Sequence, residues 1–337
     1  MIKRDIKLLY IIMSILLVST VISGCTRKQE PITKYGFYFD TVIAITLYQT
    51  QEEKYMDECF ELAEKYEDLF SRTKEGSDIY RINDAKGEPV VVSDETIDLI
   101  EKGLSYGILS EGRFDITVGA LSSLWNFKSN DGVLPKESDV EEVLSSVSYE
   151  AVHVDGNTVT LENERAQLDL GGIAKGYVAD KMKEFLKDKG VTGGIINLGG
   201  NILAVGEKQD GEAFVFGIQK PFSEDGASIA TVEIKDQTVV TSGVYERYFT
   251  VDDVVYHHIL DTKTGYPVRN NLLSATIICD NSADADALST ICYSLGLDRG
   301  LELIESLEGT EAIFITDDYT VHKSSGLGTD IVFQLLT

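Results

Sequence analysis

Apolar residues recur at helical spacing through Tyr55, Met56, Cys59, Phe60, Ala63, Tyr66 and Phe70, which predicts an amphipathic helix whose stripe belongs to a core. A second helix is expected from Ser93 to about Ser110, with Ser93 as N-cap and Asp94 and Glu95 in the electropositive first turn. A third places Ile173, Tyr177, Val178, Met182, Phe185 and Leu186 on one face and stops at Gly190. A fourth, over 282–295, buries Ala287, Leu288, Ile291 and Leu295 and closes at Gly296. The intervening pattern is that of strands. One is expected over 35–50, where Val42, Ile43, Ile45, Leu47 and Tyr48 keep β-branched company. A hairpin over 152–154 and 159–161 turns at Gly156-Asn157, and further strands fall at 166–170, 195–197, 214–218, 229–234, 247–251, 255–260 and 274–279. Helices and strands do not alternate as βαβ units, so the class is α+β with mixed or antiparallel sheets.

The N-terminus follows another pattern. Lys3, Arg4 and Lys7 precede an almost uncharged apolar run over 8–21, too short to span a bilayer comfortably, and Ile22-Ser23-Gly24-Cys25 leads into the polar Thr26-Arg27-Lys28-Gln29-Glu30. A short membrane helix is the alternative. The tetrapeptide resembles a bacterial lipobox, which implies a lipoprotein signal peptide over 1–24, acylation at Cys25, a lipidated tether over 25–34 and a lipid-anchored, extracytoplasmic address at the cell membrane. No linker divides the remainder, so 35–337 reads as one folded unit, either one large domain or two intimately joined lobes.

The formal charge of −26, from 56 acidic and 30 basic residues, argues against nucleic acid or an anionic membrane surface as partner. A phosphate ligand would then have to be neutralised by metal and backbone N–H groups rather than by a basic patch. Besides Cys25, the cysteines Cys59, Cys279 and Cys292 lie in helix- or strand-like patterns and read as buried free thiols.

Several short segments carry candidate chemistry. Leu168-Asp169-Leu170-Gly171-Gly172-Ile173-Ala174-Lys175-Gly176-Tyr177-Val178-Ala179-Asp180 breaks a strand at two glycines and opens a helix, where free N–H groups attract phosphate; an ordinary tight strand-to-helix turn has the same pattern. Asn197-Leu198-Gly199-Gly200-Asn201 is a turn with room for close approach. Two of the four histidines, His257 and His258, are adjacent, so strand alternation lets only one face a given cleft and puts His258 on the face of Leu260, with Asp261 beyond the strand end. Asp286 and Thr290, four apart on the last helix, offer a carboxylate and a hydroxyl to a hard cation; Asp284 and Asp286 equally suit a helix N-terminus.

The order of these segments is more specific than any one of them. Phe114-Asp115-Ile116-Thr117-Val118-Gly119 with Trp125, then the glycine-lysine block, Asn197-Leu198-Gly199-Gly200-Asn201, Thr241-Ser242-Gly243-Val244-Tyr245-Glu246-Arg247, His258-Ile259-Leu260-Asp261-Thr262-Lys263-Thr264-Gly265 and Ala285-Asp286-Ala287-Leu288-Ser289-Thr290 together resemble the ApbE family of FAD:protein FMN transferases. The resemblance covers about Tyr35 to Asp330. It implies an ApbE-like fold and an enzyme that splits FAD at its pyrophosphate, moves FMN through a phosphoester bond onto a Thr or Ser hydroxyl of an acceptor protein, and releases AMP.

The resemblance further implies a Mg²⁺ site at the Ala174 carbonyl, the Asp286 carboxylate and the Thr290 hydroxyl. Flavin and phosphate contacts carry over to Phe114, Asp115, Ile116, Gly171, Lys175, Tyr177 and Ile259, and His258 is the expected proton acceptor. One departure stands out. Many family members carry Met-Gly-Thr where this chain has Phe39-Asp40-Thr41, so Phe39 is expected to take the place of the flavin-facing methionine while Asp40 adds charge and bulk. With an anchor at Cys25, the acceptors are expected to be membrane-associated proteins. Hydrolysis of FAD to FMN and AMP, or simple flavin capture by a binding lipoprotein, are the alternatives.

Overall fold

The computed structural model describes residues 30–48, 52–129 and 132–336, so the signal segment and Cys25 lie outside the described residues. The chain from Pro31 to Thr337 forms one compact unit. It opens with strands β1 (Ile32–Tyr38) and β2 (Thr41–Leu47), where the sequence pattern suggested a single strand. Phe39 and Asp40 form the two-residue turn between them, at φ values of 53° and 57°. Two consecutive left-handed residues match the twist of a tight hairpin; Asp tolerates that conformation, whereas Phe rarely adopts it.

The chain continues through α1 (Glu53–Phe70), α2 (Asp78–Asp84), β3 (Val90–Val91), α3 (Asp94–Leu109), α4 (Gly119–Trp125) and α5 (Glu137–Leu144). As expected, Ser93 caps α3, its side chain accepting from the Thr96 N–H, and α1 buries Met56, Cys59, Ala63, Tyr66 and Phe70. The hairpin β4 (Val152–Asp155) and β5 (Thr158–Leu161) turns at Gly156-Asn157. The segment 166–170, expected as a strand, makes only an isolated bridge from Gln167 to Val118. Its backbone is satisfied elsewhere: the Asn83 side chain accepts from Leu168 N at 2.6 Å and donates to Leu168 O at 2.9 Å.

Then follow α6 (Ala174–Asp188), β6 (Gly193–Leu198), β7 (Asn201–Gly206), β8 (Phe214–Gln219), β9 (Ser228–Ile234), β10 (Thr238–Gly243), β11 (Tyr248–Val251), β12 (Val254–His257) and β13 (Leu272–Cys279). The chain ends with α7 (Ser282–Leu295), α8 (Leu297–Glu305), β14 (Glu311–Thr316), β15 (Val321–Lys323) and β16 (Val332–Leu335). The main sheet runs β1-β2-β6-β7-β10-β13-β14-β15, and all its strand pairs are antiparallel. Smaller sheets are β16-β9-β8, β3-β5-β4 and β11-β12. Antiparallel sheets with packed helices make the protein α+β.

The largest apolar cluster packs α1, α3, α6 and α7 against the main sheet, through residues such as Ile43, Ile45, Met56, Leu99, Met182, Ile196, Ile277 and Ile291. A second cluster joins the sheet's other side to β8 and β9 through Phe214, Val232, Ile278 and Ile313. Because both faces are covered, β13 reads as a nearly unbroken buried run rather than an alternation. A third, aromatic cluster gathers Trp125, Phe249 and Leu260 with Phe127 and Tyr256. Trp125 anchors it by donating Nε1–H to the Gly265 carbonyl at 2.7 Å.

Candidate active site

The site grows from one close helix–helix contact. Gly176 on α6 lies so near the start of α7 that a Cβ there would meet the Ser282 carbonyl oxygen at 2.1 Å. Only glycine permits this approach. Each helix then gives a carboxylate to the other's backbone. Asp180 of α6 accepts from Ser282 N at 2.8 Å and Ala283 N at 2.9 Å, while Asp286 of α7 accepts from Gly176 N at 3.0 Å. Unsatisfied N–H groups at helix N-termini favour negative charge, so the exchange suits both ends. Burial of Asp180 pushes its carboxyl up to about 6, against the lowering effect of the two N–H donors.

This contact brings Lys175, Asp286 and Thr290 together. The Lys175 ammonium stands 3.2 Å and 3.4 Å from the two oxygens of the buried Asp286 carboxylate and 3.3 Å from the Gly171 carbonyl. One turn beyond Asp286, the Thr290 hydroxyl meets that of Ser242 at 3.2 Å, and Ser242 also meets Ser289 at 2.8 Å. Ser242, on β10, was not singled out as a site residue in the sequence because only the sheet brings it beneath α7. Asp180 likewise carried no spacing signal that pointed to α7.

The glycine loop is shaped from below. Asp169 accepts from Gly171 N at 2.9 Å and pairs with Arg72 at 3.2 Å, placing a cation close to the loop. A Cβ on Gly172 would lie 3.0 Å from the Phe114 ring and 3.9 Å from the Thr290 hydroxyl, so loop, aromatic ring and α7 converge. Phe114 and Ile116 are buried there, Phe114 edge-on to Tyr106. Ile259 is buried too, its carbonyl accepting from Val268 N at 2.9 Å.

Two residues sit differently from a direct side-chain contact with ligand. Asp115 is buried and its oxygens are occupied by Thr117 N at 2.8 Å, the Thr117 hydroxyl at 2.6 Å and Tyr149 N at 2.8 Å; it orders the loop that carries Phe114 and Ile116. Tyr177 points toward α1, edge-on to Tyr66 and Phe70, with its hydroxyl sealed and without a hydrogen-bond partner. Helical spacing explains this, since Tyr177 belongs to the apolar stripe of α6 rather than to the face of Lys175.

The histidines also depart from expectation, because β12 ends at His257 and strand alternation does not extend to His258. His257 is buried against the Val268 carbonyl (3.0 Å) and edge-on to Tyr293, and desolvation holds its imidazole down at about 4. His258 is held by its backbone N–H, which donates to the Arg247 carbonyl at 3.0 Å, and its ring Nδ1 is sealed without a partner. Desolvation, then Arg247, His257 and Lys175, hold it down at about 3, so it is neutral. Glu246 is exposed, and partial desolvation by the surrounding protein raises its carboxyl against the pull of Lys175 and Arg247. Phe39 is partly buried, its N–H bonded to Glu67 at 2.6 Å, and Asp40 turns outward to pair with Lys128.

A lysine beside a buried carboxylate and a glycine loop at a helix start form an arrangement able to receive a phosphate ester, with a neutral imidazole at His258. The sequence profile of the ApbE family matches residues 39–314, which include all of these groups. The chain belongs to the ApbE family. A Klebsiella pneumoniae FAD:protein FMN transferase is 35% identical over 286 residues, covering 84% of this chain and 88% of that protein. One from Treponema pallidum is 34% identical, covering 81% and 80%. The crystal structure of the ApbE protein of Thermotoga maritima superposes with a TM-score of 0.81 at 31% identity, over 88% of this chain and 97% of that one. The flavin transferase ApbE from Vibrio cholerae gives 0.79 at 28%, with the same coverage.

Proposed function

We propose that this ApbE-family protein transfers FMN from FAD to a Thr or Ser hydroxyl of an acceptor protein. The observation that carries the reading is the convergence of Gly171, Lys175, Asp286 and Thr290 at the paired starts of α6 and α7, in a chain whose relatives are FAD:protein FMN transferases.

The acceptor oxygen attacks the phosphorus on the riboflavin side of the pyrophosphate. A new P–O ester bond forms, the bond from that phosphorus to the bridging oxygen breaks, and AMP leaves with the bridging oxygen. Such transfers depend on positioning and charge neutralisation. Lys175, at the start of α6, faces the growing charge on the phosphates, which helps so acidic a chain accommodate FAD. His258 is the proton acceptor we assign to the acceptor hydroxyl, and the incoming phosphate charge raises its affinity for that proton.

The donor set of a carboxylate (Asp286), a hydroxyl (Thr290) and a carbonyl (Ala174) is all oxygen, which fits a hard divalent cation such as Mg²⁺. Bound there, the cation would supply Lewis-acid stabilisation of the pyrophosphate oxygens. Phe114, Ile116, Ile259 and Phe39 supply apolar surface for the isoalloxazine. Asp115 acts through the loop it orders, and Tyr177 through the packing of α6 on α1. The lipobox at 22–25 supports cleavage after Gly24, acylation of Cys25 and work at the extracytoplasmic membrane face, with membrane-associated acceptors within reach.

Co-expression with an acceptor domain, followed by denaturing electrophoresis, tests the reading. A flavin-fluorescent acceptor band is expected with the parent chain and none with Asp286→Ala. A band that survives Asp286→Ala overturns the metal assignment. AMP release with no band identifies a hydrolase, and flavin binding without either product identifies a binding protein.

A further inference from the structure

The first hairpin has one face against the core and one that is bare. Strand alternation and the β1–β2 register put Thr33, Tyr35 and Phe37 opposite Thr46, Ala44 and Val42 on a single face. On that face Tyr35 is 72% exposed, Phe37 68% and Val42 55%. The other face is covered: Ile43 and Ile45 are fully buried, and Phe60 of α1 lies under Gly36 and stacks on Tyr38. The bare face carries no charge, although 26% of the chain is charged. Lys34, the one cation of the hairpin, belongs to the covered side and pairs there with Glu53 and Asp57 of α1. Exposed aromatics clustered on an uncharged strand face mark a contact surface.

The position of the hairpin argues for the occupant. It is the first described element of the chain, and β1 begins seven residues after Cys25. Even fully extended, at roughly 3.3–3.6 Å per residue, that stretch keeps the start of β1 within about 25 Å of the cysteine. A lipid at Cys25 would therefore hold Tyr35 and Phe37 at the bilayer surface, where even a weak contact is populated by high effective concentration. Tyrosine and phenylalanine suit the boundary between headgroups and acyl chains. The net charge of −26 disfavours an anionic surface and selects uncharged or zwitterionic lipid.

We propose that the Tyr35–Phe37–Val42 face seats on the membrane that carries the anchor, against its zwitterionic lipid, a reading that rests on acylation of Cys25. The same hairpin ends in the Phe39–Asp40 turn, so the seat fixes the height of that turn above the lipid.

The test uses the full acylated chain in phosphatidylcholine vesicles. Flotation reports the anchor. Lipid brominated near the headgroup end of its acyl chains reports contact with a Phe37→Trp protein; the native Trp125 is 2% exposed and gives a constant background. The control is Tyr319→Trp, at a 40% exposed position beside β14 and β15, at the opposite edge of the main sheet. Quenching several-fold stronger for Phe37→Trp than for Tyr319→Trp is expected. Equal quenching in floating protein overturns the seat and leaves the anchor standing. Failure to float removes both. Dimers that dissolve on Phe37→Ser, with no bromolipid quenching, assign the face to a second copy and overturn the proposal. FMN transfer to a soluble acceptor in detergent, measured in parallel, reports separately on the catalytic reading.

Discussion

Gly176→Ala probes the contact on which the whole site depends. The added Cβ would lie 2.1 Å from the Ser282 oxygen, 2.5 Å from its carbonyl carbon and 2.6 Å from the Ala283 Cα, all backbone atoms that no rotamer change can move. Ordinary contact begins at about 3.4 Å, so α6 and α7 must part by roughly 1 Å. The three bonds of the clasp, now 2.8, 2.9 and 3.0 Å, would then pass out of hydrogen-bond range. Overpacking costs about 1–3 kcal/mol, and weakened bonds to carboxylates add about 1.5–3 kcal/mol each without being additive. Alanine's better helix propensity offsets about 1 kcal/mol. A net loss of about 3 kcal/mol is expected, lowering the melting temperature by roughly 5 °C. Moving Asp286 by that distance should also slow FMN transfer by roughly 10²-fold. Scanning calorimetry and the fluorescent-band assay read the two effects. Gly156→Ala is the control, since Gly156 has φ +54° with open space around it and pays backbone strain alone, about 1 kcal/mol. A Gly176→Ala protein that melts no lower than Gly156→Ala and transfers FMN at the parent rate would refute the reasoning.

Asp180→Asn should lower stability by about 1.5–3 kcal/mol by weakening the acceptor for Ser282 and Ala283 N–H. In a double-mutant cycle with Gly176→Ala the losses should fall well short of additivity, because both act on one contact. His257 is held at about 4 in the folded state against 6.5 ordinarily, so the unfolded chain binds a proton that the folded chain does not. Stability should therefore fall as pH drops from about 6.5 toward 4, by up to about 3 kcal/mol from this residue, and urea midpoints of His257→Leu should lack that part of the slope. Burial pushes the thiols of Cys59, Cys279 and Cys292 up to about 12, so in a Cys25→Ser chain a disulfide reagent should label no thiol before unfolding and all three after it.

Periodicity placed the helices containing Met56, Lys175 and Asp286, because each buries one stripe that repeats at helical spacing, and the cap at Ser93 with its acidic first turn placed the helix that follows it. The α+β class, the antiparallel hairpin at Gly156-Asn157 and the buried state of the described cysteines were legible for the same local reason. The Phe39–Asp40 turn was not, because Phe is a poor signal for a left-handed residue and the apolar run continues across it. Nor was the loss of a strand at 166–170, which turns on a partner 85 residues away, the Asn83 side chain. The order of short motifs named Ala174, Asp286 and Thr290 as a metal set and Lys175 as a flavin or phosphate contact. It could not show what holds them together or which side chains nearby are already engaged. Tertiary structure alone decided that Asp115 spends its oxygens on Thr117 and Tyr149, that Tyr177 faces α1, and that Asp180 and Asp286 exchange bonds across the two helices. Local pattern reports which face of an element is apolar. Which elements touch depends on steric fit, here a glycine with no Cβ and a carboxylate long enough to reach the next helix, and no periodicity within either helix records that fit.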